Sequence, residues 1–170
     1  LIIEKRAKRG ESPARYGSFN PKLRRIRIIG DSPQFKRVFV HEYMHVIAAD
    51  YPLLFRQFCV QSGWTIGTRQ GETYYAFNGI DPLTGSPVDE VITSFEVAQT
   101  PHAVIQRLAE LPIFPSDYSK LGPAEMFAET GTATVFEMEN DRSTDYRLTE
   151  FRGTPLFGWW HELFIFGAKR

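Results

Sequence analysis

The sequence lacks three features that would each point to a particular class of protein. Cys59 is its only cysteine, so an internal disulfide and a cysteine-based zinc ribbon are both excluded, and we expect this thiol to be a small core residue. No apolar run is long enough to span a bilayer, so we expect no membrane span. The net charge is zero, which argues against a general nucleic-acid-binding protein.

The neutral total hides an uneven distribution of charge. Residues 1–37 hold 11 Lys and Arg against three acidic residues, a net charge of +8, and the remainder carries −8. We interpret residues 1–13 as an arm or as the tail end of an upstream element. Its basic residues are expected to be solvated, and the alternative is a contact for an acidic partner or a neighbouring domain. The chain begins at Leu1 without a signal-like apolar segment, which is consistent with a processed or excised domain and leaves the localisation unassigned.

The length and the apolar content predict a single domain. A chain of 170 residues with 42% hydrophobic and 14% aromatic residues can build one core, so we treat residues 1–170 as one unit. The aromatic segment 156–166 predicts a last helix packed on that core. The alternative is a contact surface for a missing partner or domain.

The first third of the chain predicts a pair of strands followed by a helix. Residues 16–29 read as two strands around a turn at Asn20-Pro21, and Ile26 and Ile28 alternate with arginines, so that one face is buried. Residues 33–49 predict a helix capped by Asp31 or Ser32. Its apolar residues cover nearly the whole circumference, which is typical of a central, buried helix.

The rest of the chain predicts an α+β fold: a small mixed sheet whose edge strand packs on the central helix, with several further helices. Residues 61–90 read as loop with a short hairpin near residues 73–77. Proline and apolar spacing predict three more helices, at residues 53–60, 100–111 and 123–138.

The predicted central helix contains the motif H-E-x-x-H, at His41-Glu42-Tyr43-Met44-His45. Two histidines at positions i and i+4 lie on one face of a helix and can reach a single zinc ion. The glutamate between them can act as a base on water. Burying these groups costs several kcal/mol unless they are paired or bind a metal, so their position in an apolar helix favours a functional role.

A catalytic zinc site needs a third protein ligand. The metzincin pattern requires glycine and histidine where this chain has Ala48 and Tyr51, so that class is excluded. His102 and His161 stand alone in apolar contexts, and we interpret them as structural. Two glutamates at i and i+4 on another predicted helix are the better candidates, although such a pair can also be a solvated surface pair; they are Glu125 and Glu129.

The segment from Tyr118 to Glu129 resembles the Tyr…Glu-x-Phe-Ala-Glu segment of the gluzincin zinc metallopeptidases, in the group of anthrax lethal factor-like catalytic domains. The resemblance covers residues 15–50 and 112–138 and implies a zincin-like fold. It further implies that Glu125 is the third zinc ligand beside His41 and His45. Glu129 would support the site from outside, Tyr118 would assist the transition state, and residues 16–29 would form the substrate-binding edge.

Together these observations predict a zinc-dependent endopeptidase with one catalytic zinc ion, a protein or peptide substrate, and Glu42 as general base. The family resemblance favours a secreted or delivered bacterial protease or toxin domain. Residues 61–111 match no part of the family pattern, and we expect them to shape the cleft. Two alternatives remain open: a non-catalytic, zinc-stabilised interaction domain, and a zinc hydrolase that acts on a non-peptide amide.

Overall fold

The structure is a computed structural model, and it describes residues 2–6, 17–29, 34–69, 72–77, 92–93, 113–141 and 146–167. Within these ranges the chain forms the following elements: β1 (Ile2–Arg6), β2 (Gly17–Asn20), β3 (Arg25–Ile29), α1 (Phe35–Asp50), α2 (Pro52–Ser62), β4 (Trp64–Arg69), β5 (Glu72–Phe77), β6 (Ile92–Thr93), a 3-10 helix (Tyr118–Leu121), α3 (Pro123–Met138), α4 (Leu148–Arg152) and α5 (Pro155–Phe166). The predicted α+β class is confirmed. No helix in the described part of the chain is long and apolar enough to cross a membrane.

The first sheet is small and mixed, as predicted, with strand order β1-β3-β2. β2 pairs antiparallel with β3, and Ile26 and Ile28 of β3 are fully buried against Val46 of α1. Residues 2–6 of the predicted basic arm form β1 and pair in parallel with β3. Residues 7–13 lie outside the described ranges.

The second sheet is antiparallel and has the order β4-β5-β6. Its first two strands form the predicted hairpin, which begins at Trp64 and is longer than the sequence suggested. The helix expected at residues 100–111 and the caps expected at Asp31 or Ser32 fall outside the described residues. α2 ends at Gly63, whose φ of 86° provides the left-handed conformation that commonly terminates a helix.

The most buried helix is α3 rather than α1. α3 is buried on almost every side from Met126 to Ala133, whereas α1 exposes Phe35 and Tyr43 by about two fifths. Polar side chains can line such a buried helix when their hydroxyls are satisfied locally. Three threonines of α3 donate to the carbonyl oxygens four residues earlier, at 2.6–2.9 Å: Thr130, Thr132 and Thr134.

The main core lies between α1, α2, α3 and α5. The rings of Phe58, Phe127 and Trp160 meet there with centroids 4.8–6.0 Å apart, and all three residues are fully buried. Trp160 belongs to α5, so the predicted last helix packed on the core is confirmed. Cys59 is also buried in this core, as expected.

Gly131 allows α3 to approach its neighbours closely. A Cβ atom there would lie 2.9 Å from Met44 Sδ and 3.2 Å from Trp160 Cη2. We expect Gly131→Ala to lower the free energy of unfolding by about 0.5–2 kcal/mol, because overpacking of a core costs about 1–3 kcal/mol and the helix preference of alanine offsets about 0.5–1 kcal/mol of it. Urea denaturation measures this change.

Gly158 of α5 provides the matched control, because a Cβ atom there would meet no atom within 4 Å. We expect Gly158→Ala to raise the free energy of unfolding by about 0.5–1 kcal/mol, since alanine is favoured over glycine inside a helix. Equal effects of the two substitutions would contradict the proposed close packing around Gly131.

Candidate metal and catalytic site

α1 and α3 pack side by side, and this contact brings together the three predicted metal ligands. His41 Nε2 lies 3.2 Å from His45 Nε2 and 3.2 Å from Glu125 Oε2. His45 Nε2 lies 3.3 Å from the same Glu125 oxygen. The three side chains therefore present one donor atom each to a common point, and this cluster could hold a metal ion.

The dimensions of this triangle match a tetrahedral site. With metal–ligand bonds of about 2.0–2.1 Å, neighbouring ligand atoms of a tetrahedron are about 3.3–3.4 Å apart. Glu125 Oε2 is buried and makes no hydrogen bond within the described part of the chain, although both imidazoles are close to it. A single hydrogen bond can link only two of the three ligand atoms, whereas a metal ion at the centre of the triangle can be bound by all three.

Glu129 fixes the orientation of His41. Its Oε1 lies 2.6 Å from His41 Nδ1, and the carboxylate is 2% exposed. An ionised carboxylate only accepts hydrogen bonds, so Nδ1 carries a proton and Nε2 is the nitrogen that a metal can bind, once it has displaced the second proton of the imidazolium. The structure thus brings Glu129 to the outer side of the site, and the supporting role that the family resemblance implies for it stays a prediction.

The charges around His41 favour a cation at this point. Burial disfavours the imidazolium, but the neighbouring carboxylates of Glu125 and Glu129 outweigh burial and raise the pKa of His41 to about 9. Burial also opposes the ionisation of Glu125, yet the two histidines lower its pKa to about 2. Carboxylates that stay ionised in a buried cluster require a positive charge beside them.

Glu42 lies in the same cavity, between α1 and the strand β2. Burial raises the pKa of this carboxyl, while His41, His45 and a hydrogen bond from the backbone of Phe19 act in the opposite direction. A raised pKa suits a general base at neutral pH. β2 approaches so closely at Gly17 that a Cβ atom there would lie 3.0 Å from Glu42 Oε1.

Tyr118 stands beside the histidines on the 3-10 helix that precedes α3. Its ring centroid lies 5.7 Å from that of His41, and half of the residue is exposed. Tyr118 also lines the cavity that contains the histidines, where a substrate would be. The structure thus brings Tyr118 to the site, and its catalytic role stays a prediction.

These residues line an open cavity of about 800 Å³. Its two ends differ in character: Gln34 and Arg37 lie at the start of α1, whereas Ala48, Ala49 and Phe55 make the other end apolar. Its described lining comes from β2, the turn after β2, α1, α2, the 3-10 helix and α3. The cleft-shaping role expected of residues 61–111 stays a prediction.

Three further residues hold the site together and were not anticipated from the sequence. Arg37 lies 3.5 Å from Glu129 Oε2 and stacks over the ring of Tyr146. The Tyr146 hydroxyl donates to Glu129 Oε1 at 3.2 Å, and Ser116 Oγ donates to Glu129 Oε2. The only local signal was the position of Arg37 one turn before His41 on the same helix.

The remaining histidines lie elsewhere. His161 stacks on Phe157 within α5, with centroids 5.7 Å apart, which agrees with a structural interpretation. His102 lies outside the described residues.

Comparison with protein-family models, with curated proteins and with solved structures finds no match. The case for a function therefore rests on the residues of the site.

Proposed function

We propose that the chain is a zinc-dependent endopeptidase with a zincin-like fold of the gluzincin type. The observation that supports this most is the triangle of His41, His45 and Glu125, with Glu42 in the same cavity. Two imidazoles and one carboxylate form the donor set of catalytic zinc sites that keep one position open. Nitrogen donors also favour zinc over magnesium or calcium, which prefer oxygen ligands throughout.

Each residue has a defined task in peptide hydrolysis. Zinc, when bound, supplies the Lewis acidity that lowers the pKa of water and polarises a carbonyl group. Glu42 accepts the proton of the attacking water and delivers it to the leaving amine. The Tyr118 hydroxyl donates a hydrogen bond to the oxyanion that develops on the peptide carbonyl. Glu129 keeps His41 in the tautomer that this arrangement requires.

The cavity suits an extended peptide. β2 is an edge strand of the first sheet and borders the cavity through Gly17, Ser18 and Phe19. An edge strand offers backbone groups to which a peptide can add as a further strand. We therefore propose that the substrate lies along β2, with its scissile bond next to the histidines. The resemblance of the Tyr118–Glu129 segment further supports a secreted or delivered bacterial protease or toxin domain.

Digestion of a peptide library tests this function. We expect the zinc-loaded protein to cleave internal peptide bonds, a chelator to stop cleavage, and added zinc to restore it. Mass spectrometry of the products provides the measurement. Stoichiometric zinc binding without cleavage would instead identify a zinc-stabilised interaction domain. Hydrolysis confined to non-peptide amides would identify the other hydrolase class, and either result overturns the proposal.

A further inference from the structure

Ser116 connects the loop that carries Tyr118 to the buried carboxylate of Glu129. Its hydroxyl donates to Glu129 Oε2 and accepts from the backbone N–H of Ser119 at 3.3 Å. The Ser119 hydroxyl donates back to the carbonyl oxygen of Ser116, and Ser119 is fully buried. Ser116 and Ser119 thus close a turn around Tyr118, as local serine bonds to the backbone commonly do.

The carboxylate of Glu129, which holds this turn, is itself fixed by several contacts. Glu129 is 2% exposed. Its Oε1 lies 2.6 Å from His41 Nδ1 and accepts a hydrogen bond of 3.2 Å from the Tyr146 hydroxyl. Arg37 lies 3.5 Å from Oε2, the oxygen that Ser116 contacts. One carboxylate therefore orients His41 through one oxygen and holds the turn of Tyr118 through the other.

We propose that Ser116 is a positioning residue that sets the distance of Tyr118 from the metal site. This inference rests on the proposed endopeptidase function. Tyr118 is half exposed, so the geometry of its turn contributes to where the hydroxyl lies. A displacement of about 1 Å in a catalytic group can reduce the rate about 100-fold. The site therefore depends on Ser116 although Ser116 is not expected to touch the substrate.

A double-mutant cycle tests the catalytic consequence. We expect Ser116→Ala to lower kcat by about 10–100-fold, with KM and zinc affinity close to those of the parent. Tyr118→Phe should lower kcat by about 10²–10³-fold, as the loss of one oxyanion donor does. In the Tyr118→Phe background Ser116→Ala should have little further effect. Ser116→Thr keeps the hydroxyl and should restore most of the activity.

Amide hydrogen exchange tests the structural part without reference to activity. We expect the Ser119 amide to exchange faster in Ser116→Ala than in the parent or in Ser116→Thr, with or without added zinc. Unchanged exchange, fully additive losses in kcat, or a loss of zinc affinity as large as that of Glu129→Ala would each overturn the role of Ser116. A parent protein that cleaves no peptide would overturn the proposed function instead, and the exchange result would still decide whether Ser116 holds the turn.

Discussion

Glu42→Gln is expected to bind zinc like the parent protein and to cleave peptides about 10²–10⁴ times more slowly. Removal of a general base typically has an effect of this size. Glutamine has the same shape but cannot accept the proton of the attacking water. The carboxyl of Glu42 is buried, and burial raises its pKa, so a neutral amide at this position should not destabilise the fold. Zinc content and kcat measured on the same sample separate the two properties.

Glu162→Gln is the matched control, because Glu162 is an exposed glutamate on α5, away from the cavity. It should leave both zinc binding and kcat unchanged. If Glu42→Gln cleaves peptides as fast as the parent, Glu42 is not the base and the mechanism is wrong. If Glu42→Gln loses zinc, its carboxylate belongs to the set of metal ligands.

The second large effect is expected from the two glutamates of α3. Glu125→Ala removes one of three ligand atoms, so we expect its zinc affinity to fall far more than that of Glu129→Ala. Loss of a residue that supports a ligand typically lowers metal affinity about 10–100-fold. Competition with a chromogenic chelator measures both affinities. The reverse order would exchange the roles assigned to these two carboxylates.

The free energy of unfolding should rank the two variants in the opposite order, with Glu129→Ala lower than Glu125→Ala. Glu129→Ala leaves Arg37, Ser116 and Tyr146 without their common acceptor, and breaking a buried charged network costs about 3–5 kcal/mol. Glu125 makes its close contacts only with the two histidines among the described residues. Urea denaturation of the metal-free variants should therefore find Glu129→Ala to be the less stable.

The sequence predicted the parts of the site that depend on local spacing. His41 and His45 share a helical face because of their four-residue separation, and Glu125 and Glu129 do so for the same reason. The bounds of α3 followed from Pro123 and the apolar pattern after it. The contact between the two helices was expected from the need for a third ligand and from the family resemblance, because spacing within one helix says nothing about which other helix packs against it.

Tertiary packing decided the features that the sequence misjudged. The sequence predicted α1 as the central, buried helix, yet α3 is more buried. The hydroxyls of Thr130, Thr132 and Thr134 bond to their own helix, so these polar residues can be buried at little cost. The basic residues of β1 predicted a solvated arm. Residues 2–6 nevertheless pair with β3 along the backbone, and a count of charges does not reveal such pairing.

The partners of Glu129 show the same limit at the level of single side chains. Ser116, Tyr146 and Arg37 come from three separate segments of the chain. The residues around each of them form no motif that indicates a shared partner. They share one carboxylate only because the loop before α3 and the segment after it return to the N-terminal half of α1. A sequence pattern can predict a buried carboxylate, but it does not identify the residues that form hydrogen bonds or ion pairs with that carboxylate.

The separation of the ligands along the chain has a consequence for folding. His45 and Glu125 are 80 positions apart, so their ligand atoms come together only when the chain has folded. An ion held by both therefore binds the folded state, and such a ligand adds about 2.7 kcal/mol at a hundredfold excess over Kd. The apparent stability of the protein would then follow the free zinc concentration of its surroundings.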